Sequence, residues 1–261
     1  MQVTTIGVDL AKNVFQVHEI SASEEVVFNR PLRRAHLLPF FSKLAPCLIG
    51  MEACSSAHHW ARELRKFGHD VRLIPPMYVK PYVKRGKSDA IDAEAICEAV
   101  TRPTMRFVAI KTVEQQSLLS LHRARDLLVR QRTQLINSLR GMGAEFGEYI
   151  ARGLARVIGF AQDILAGEVL DLTDIANEVI HNLCEHLIAL HARVRWYEGR
   201  LKQVAKEDAR VRLLRTIPGV GAVTASAIIA SIGDGHQFRC PSSYKMGHQS
   251  GLSNGGSGSF V

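Results

Sequence analysis

No CxxC pair occurs anywhere in this chain of 261 residues, and its five cysteines (Cys47, Cys54, Cys97, Cys184 and Cys240) are scattered and odd in number. That excludes a disulfide framework as the organising principle and leaves reduced cytosolic thiols as the expectation. Cys54 and His58 stand four apart, but no second pair completes a zinc site. Long apolar runs are missing too. The longest, "IPGVGAVTASAIIASIG" (217 to 233), is shorter than a bilayer span and rich in small residues, so it reads as a closely packed helix. The start, "MQVTTIGVDLAKN", lacks the basic beginning and apolar core of a signal peptide. A cytoplasmic protein without a membrane partner is expected. Aromatic residues are few, and the two tryptophans, Trp60 and Trp196, read as core or seam positions. Acidic residues are in the minority, 25 against 33 lysines and arginines, giving a net charge of +8. Such a balance favours an acidic partner, nucleic acid first among them.

What is present is globular: with 46% apolar and 22% charged residues, the chain can bury a sizeable core. "VTTIGVDL", "VFQVHEI" and "EEVVFNR" read as three strands of an antiparallel meander. A helix follows around 35 to 45. Then come the strand "CLIGME", the helix "SSAHHWARELRKFG", the strand "HDVRLIPP" and a helix from Asp89. Three strands followed by helix–strand–helix–strand–helix is the order of an α/β RNase H-like domain, although actin-like ATPases begin the same way.

From 112 to 206 the pattern becomes long and helical. Leu118, Leu121, Arg125, Leu128, Arg132, Leu135, Leu139 and Met142 step by three and four. So do Leu183, Leu187, Leu190, Val194, Tyr197, Leu201 and Val204. This is a coiled-coil seam, able to close within one chain or across a homo-oligomer. Residues 143 to 178, with several glycines and no sustained period, are expected to turn the chain between the two helices. The assignment is a domain over 1–110, a helical coiled-coil region over 111–206, and a small, incomplete α-helical domain with a Ser/Gly-rich tail over 207–261.

Four acids draw attention. Asp9 and Glu52 stand at the carboxyl ends of predicted strands, where functional groups of α/β layers collect. Asp89 and Asp92 lie on one face of a helix start. Taken singly, Asp89 reads as an N-cap, Asp92 as a dipole-favoured acid and Asp9 as a turn residue. Glu52 is harder to explain so, being a lone acid at an apolar strand end. Four converging carboxylates would suit Mg²⁺ or Mn²⁺, and two such ions could clamp both oxygens of a phosphodiester exchange.

"IGVDLAKNVFQVH", "GMEACSSAHHWAR", "VKPYVKRGKSDAIDAEAI" and "RTIPGVG" occur in this order over residues 1 to about 239. The chain thereby resembles the DEDD-type insertion-sequence transposases, relatives of the Piv DNA invertases and the bridge-RNA-guided recombinases. The resemblance implies that Asp9, Glu52, Asp89 and Asp92 form the catalytic, metal-binding tetrad of an RNase H-like domain. It also implies a coiled-coil middle and a C-terminal domain whose serine attacks DNA. Family members continue past "SIGDGHQF" with a helical segment carrying that serine, whereas this chain runs into a Ser/Gly-rich tail. A truncated or frameshifted copy is therefore expected. Ser250, Ser253 and Ser257 all lie near glycine, and none is assigned as nucleophile.

Candidate nucleic-acid contacts are Lys80, Lys84, Arg85 and Lys87, interleaved with Tyr78 and Tyr82. Arg125 and Arg132 join them, because arginines at seam positions call for an anionic partner. Gly219 and Gly221 of "IPGVG" complete the set as a helix-hairpin-helix-like phosphate grip, with a plain helix–helix turn as the alternative. His58 and His59 read as helix surface. The reading is a DNA transposase or site-specific recombinase that cleaves and rejoins strands with Mg²⁺, with a guide RNA as a further candidate partner. The alternatives are a non-catalytic nucleic-acid-binding remnant and, ranked lower, an actin-like ATPase.

Overall fold

The computed structural model describes residues 3–23, 25–83 and 88–233. Lys84, Arg85, Lys87, Ser250, Ser253 and Ser257 lie outside the described residues. A mixed five-stranded sheet has the order β3-β2-β1-β4-β5. Strands β1 (Val3–Leu10), β2 (Val14–Ser21) and β3 (Val26–Arg33) form the antiparallel meander. β4 (Leu48–Glu52) lies parallel to β1, and β5 (Asp70–Ile74) parallel to β4. The arrangement is compatible with the expected RNase H-like domain.

Strand alternation divides the central strands between two faces. Ile6, Val8, Ile49 and Met51 point into a core closed by α1 (Leu37–Phe41) and α2 (Ala57–Arg65), where Trp60 meets Phe15 edge-on at 5.2 Å. The other face is covered by α4 (Asp89–Val100), reached through the short α3 (Pro76–Val79). α4 is built largely from small residues, and Ala93, Ala95, Cys97 and Ala99 are buried against the sheet. Glycine makes the approach possible. A Cβ on Gly7 would stand 2.6 Å from the backbone nitrogen of Cys97 and would overlap the Ala93 carbonyl.

Thr112 starts α5 (Val113–Glu145) with a reciprocal capping box to Gln115. α5 and α7 (Asp174–Glu207) lie side by side in opposite directions, burying Leu135, Leu139, Leu187 and Leu190. The apolar seams of the two helices thus pack against each other within the chain. Residues 143–178 are more than a turn. They contain α6 (Leu154–Leu165), whose Val157, Ala161 and Ile164 complete the hairpin core. Its short period is hidden in the sequence because it lies between Gly153 and Gly167, both at φ +104°. Trp196 is a second departure: it is 61% exposed and stacks edge-on against Tyr197 instead of entering a core. α8 (Ala209–Leu214) and α9 (Ala222–Ile232) pack Val211 against Ala225 and Ile229, at the open end of the hairpin. No helix among the described residues is long and apolar enough to cross a membrane.

Two outcomes follow from the packing. Gly7→Ala forces α4 off the sheet and should cost about 1–3 kcal/mol, as overpacking does, read as a lower midpoint in urea. The second concerns Glu19, which is buried on β2 at 1% exposure with no hydrogen-bond partner for Oε1. Burial pushes its carboxyl up to about 7, only partly offset by Arg30. Because the folded-state value lies above the unfolded one, its contribution is intact at low pH and is lost as pH rises through 7. Glu19→Gln should therefore raise the melting temperature at pH 8 and change it little at pH 5.

Candidate active site

Pairing between β1 and β4 ends at Val8 with Met51, so Asp9 and Glu52 occupy the next positions of two adjacent parallel strands. Two residues beyond Gly7 and Gly50, they share the face covered by α4. α4 runs against β1: Cys97 Sγ lies 3.9 Å from the Thr5 carbonyl, and Ala93 lies over Gly7. The first turn of α4 therefore arrives above the strand ends, bringing Asp89 and Asp92 to Asp9 and Glu52.

The electrostatics register this convergence. The Asp9 carboxyl is pushed up to about 6, first by burial and then by Asp89, Asp92 and Glu52, against a lowering hydrogen bond from the Leu10 backbone. Glu52 is raised by burial and by Asp92. Among the described residues no lysine or arginine forms an ion pair with any of the four. Their oxygens form a hard donor set suited to Mg²⁺ or Mn²⁺ and unlike a zinc site. Among the described residues no group of three or more His, Cys, Asp or Glu side chains is placed so as to hold a metal ion.

Asp89 is not the cap of α4. Ser88 fills that role, its hydroxyl accepting from the Ile91 N–H at 3.4 Å, so Asp89 is the first helical residue. The capping explanation for this acid is thereby removed. A polar relay also holds the helix start: the Gln16 amide, on the residue paired with Asp9, donates to Asn29 Oδ1. Asn29 Nδ2 in turn donates to the Ala90 carbonyl at 3.3 Å. Sequence reasoning missed this relay, although two amides in mid-strand are its visible trace.

The basic candidates scatter. Lys80 is exposed in a 3-10 turn after α3. Arg125 pairs with Glu198 at 2.9 Å across the hairpin. Arg132 Nη1 lies 3.0 Å from His191 Nδ1 on the same interface. The anionic partner expected for the seam arginines is, for Arg125, another part of this chain. Gly219, at φ +83°, and Gly221, the N-cap of α9, make the turn between α8 and α9. His58 is half-buried rather than on the helix surface, and its Nδ1 accepts the Lys111 backbone N–H at 3.2 Å.

Two family models match the chain. A transposase model of the DEDD IS110 type covers residues 6–142, and a model described as transposase IS116/IS110/IS902 family covers 211–257. A probable family 20 transposase of Pseudomonas aeruginosa is 48% identical over 92% of this chain and 71% of its own length. The transposase of insertion sequence element IS1111A from Coxiella burnetii is 42% identical over 89% of this chain and 64% of its own length. That of element IS1328 from Yersinia enterocolitica is 38% identical over 96% of this chain and 73% of its own length. Those matches do not favour the actin-like ATPase reading. With a DEDD transposase model over residues 6–142 and transposase relatives matched over 89–96% of its length, the chain belongs to the DEDD insertion-sequence transposases of the IS110 family.

Proposed function

We propose that the chain cleaves and rejoins DNA strands of an insertion sequence at a centre formed by Asp9, Glu52, Asp89 and Asp92, which bind Mg²⁺ or Mn²⁺. The observation that carries this reading is the meeting of four carboxylates, without an ion-paired cation among the described residues, at two central strand ends beneath one helix start. Asp9 and Glu52 are fixed by the sheet, and Asp89 and Asp92 by the capped first turn of α4. The partial positive charge at that helix start offsets part of their repulsion. A divalent cation held there supplies Lewis acidity to the phosphodiester and neutralises the remaining charge.

In this reading residues 1–110 are the catalytic domain, 111–206 the helical scaffold and 207–261 part of a second transposase domain. Lys80, Lys84, Arg85 and Lys87 precede the acidic helix and track the DNA backbone. The α8–α9 turn at Gly219 and Gly221 offers backbone N–H groups to a further phosphate. A guide RNA is carried as a partner only by the resemblance, and no serine is assigned as nucleophile.

The test is incubation of the chain with end-labelled DNA carrying the ends of its parent element. Mg²⁺-dependent breaks should appear on denaturing gels, vanish with EDTA and fall at least about a hundredfold in Asp9→Asn and Asp92→Asn. Breaks that persist in EDTA would sink the proposal. A thermal scan gives an independent check. The folded-state value of Asp9, about 6, lies above the ordinary 3.8, so its ionisation destabilises the metal-free fold as pH rises between them. Asp9→Asn should therefore stabilise the metal-free protein at pH 7.5, by about 1 kcal/mol once solvent screening is allowed for. Mg²⁺ should raise the melting temperature of the unsubstituted chain more than that of the variant.

A further inference from the structure

One residue past Glu52 the chain leaves the sheet as Ala53, Cys54 and Ser55 and enters α2. Here a cavity of about 360 Å³ opens between the start of α2 and the first turns of α5. Its walls carry His58, Lys111, Arg123, Ser55 and Gln116. The site is strongly cationic. Lys111, Arg62 and Arg123 all act on His58, and no carboxylate stands among the groups acting on it or on Lys111. Glu114, at the start of α5, acts toward Arg62. Arg62 is itself spent on structure, its Nη1 donating to the Lys111 carbonyl.

The hydrogen bonds set a puzzle. His58 Nδ1 accepts the Lys111 backbone N–H, so the proton of the neutral imidazole belongs on Nε2. Nε2 lies 3.3 Å from Lys111 Nζ. With Lys111 an ammonium, both groups present donors to the same volume. Burial and the surrounding cations hold His58 down at about 4 and also lower Lys111. An anion in the cavity would accept from both groups and reverse the penalty on Lys111.

We propose that this cavity seats a backbone phosphate of the DNA strand entering the acidic centre, held by Lys111 Nζ, His58 Nε2–H and the exposed Arg123 guanidinium. The proposal rests on the reading of the four acids as the cutting centre, because it is their proximity along the chain that selects DNA over another anion. The cavity's lining begins at Ala53, directly after the strand that carries Glu52. At about 360 Å³ the cavity is large enough for a phosphate.

The test uses the full chain in EDTA, where cleavage plays no part, and a short fluorescein-labelled single-stranded DNA followed by anisotropy across a salt series. Lys111→Gln and Arg123→Gln should each weaken binding about tenfold and flatten the slope of log affinity against log salt by about 0.7, the loss of one phosphate contact. Lys202→Gln, an exposed lysine on α7, is the matched control and should leave the slope unchanged. Lys111→Gln should melt no lower than the parent, since it removes a disfavoured charge. Arg123→Gln guards against misfolding, because Arg123 is exposed on a long helix. Unchanged affinity and slope in Arg123→Gln and Lys111→Gln would overturn the proposal. So would a loss confined to RNA of the same sequence, which would reassign the cavity to RNA. Reduced slopes in a chain that never cleaves DNA would support the phosphate cavity while removing the cutting centre.

Discussion

The approach of α4 to the sheet is the constraint on which the centre depends. An ordinary helix packs on a sheet through interlocking side chains, which hold its backbone away from the strands. Here Gly7 lies under Ala93 and Cys97, and Gly50 lies under Val100, so the helix backbone settles onto the strands. Because α4 runs against β1, every increment of approach is also an increment in the overlap of Asp89 and Asp92 with Asp9 and Glu52. Packing drives the acids together; their charges oppose it. The Asp9 and Glu52 carboxyls are raised first by burial and then by the neighbouring acids, so both the packing and the repulsion act on them.

The chain sorts its charge around one strand end. Glu52 faces α4 and the other acids, whereas the residues directly after it lead to the other face and to the cations Lys111 and Arg123. A phosphodiester strand needs both environments at neighbouring positions. Its backbone phosphates need donors, while the reacting phosphate needs carboxylates able to position a cation. On the proposed reading, opposite fields on one element would also orient the strand, which a uniformly basic surface would not.

The sequence reading was strongest where periodicity and chemistry agree. The five strands were legible because β-branched and apolar residues alternate between breaks, Asp9 and Glu52 because they end such segments, and Asp89 and Asp92 because they open a helix. Ser88 illustrates the limit: "KSDAID" offers two candidate caps, and only the backbone shows that the serine accepts from Ile91 while Asp89 lies inside the helix. α6 was missed because its two flanking glycines resemble a loop. For Arg125 and Arg132 the sequence shows arginines at seam positions, but not Glu198 and His191, which meet them across the interface. His58 fell between categories, since its partner Lys111 lies 53 positions away and donates a backbone group that no side-chain pattern reveals.

Those two arginines have a structural use that fits the rest of the molecule. They stand seven residues apart on α5, and the residues they meet stand seven apart on α7 in reverse order. Leucine seams alone tolerate a slip by one heptad, whereas two polar contacts at fixed spacing are broken by it. A half-buried ion pair such as Arg125 with Glu198 adds little net stability at 30% and 33% side-chain exposure, so register is its more substantial effect. His122 on α5, held 2.8 Å from Ser226 on α9, extends the same restriction to the α8–α9 unit. Arg123 follows His122 on the same helix, and the start of that helix is tied to α2 where Arg62 donates to the Lys111 carbonyl and His58 accepts the Lys111 N–H. Contacts along the hairpin and at Lys111 therefore act together on the helix that carries one wall of the cavity.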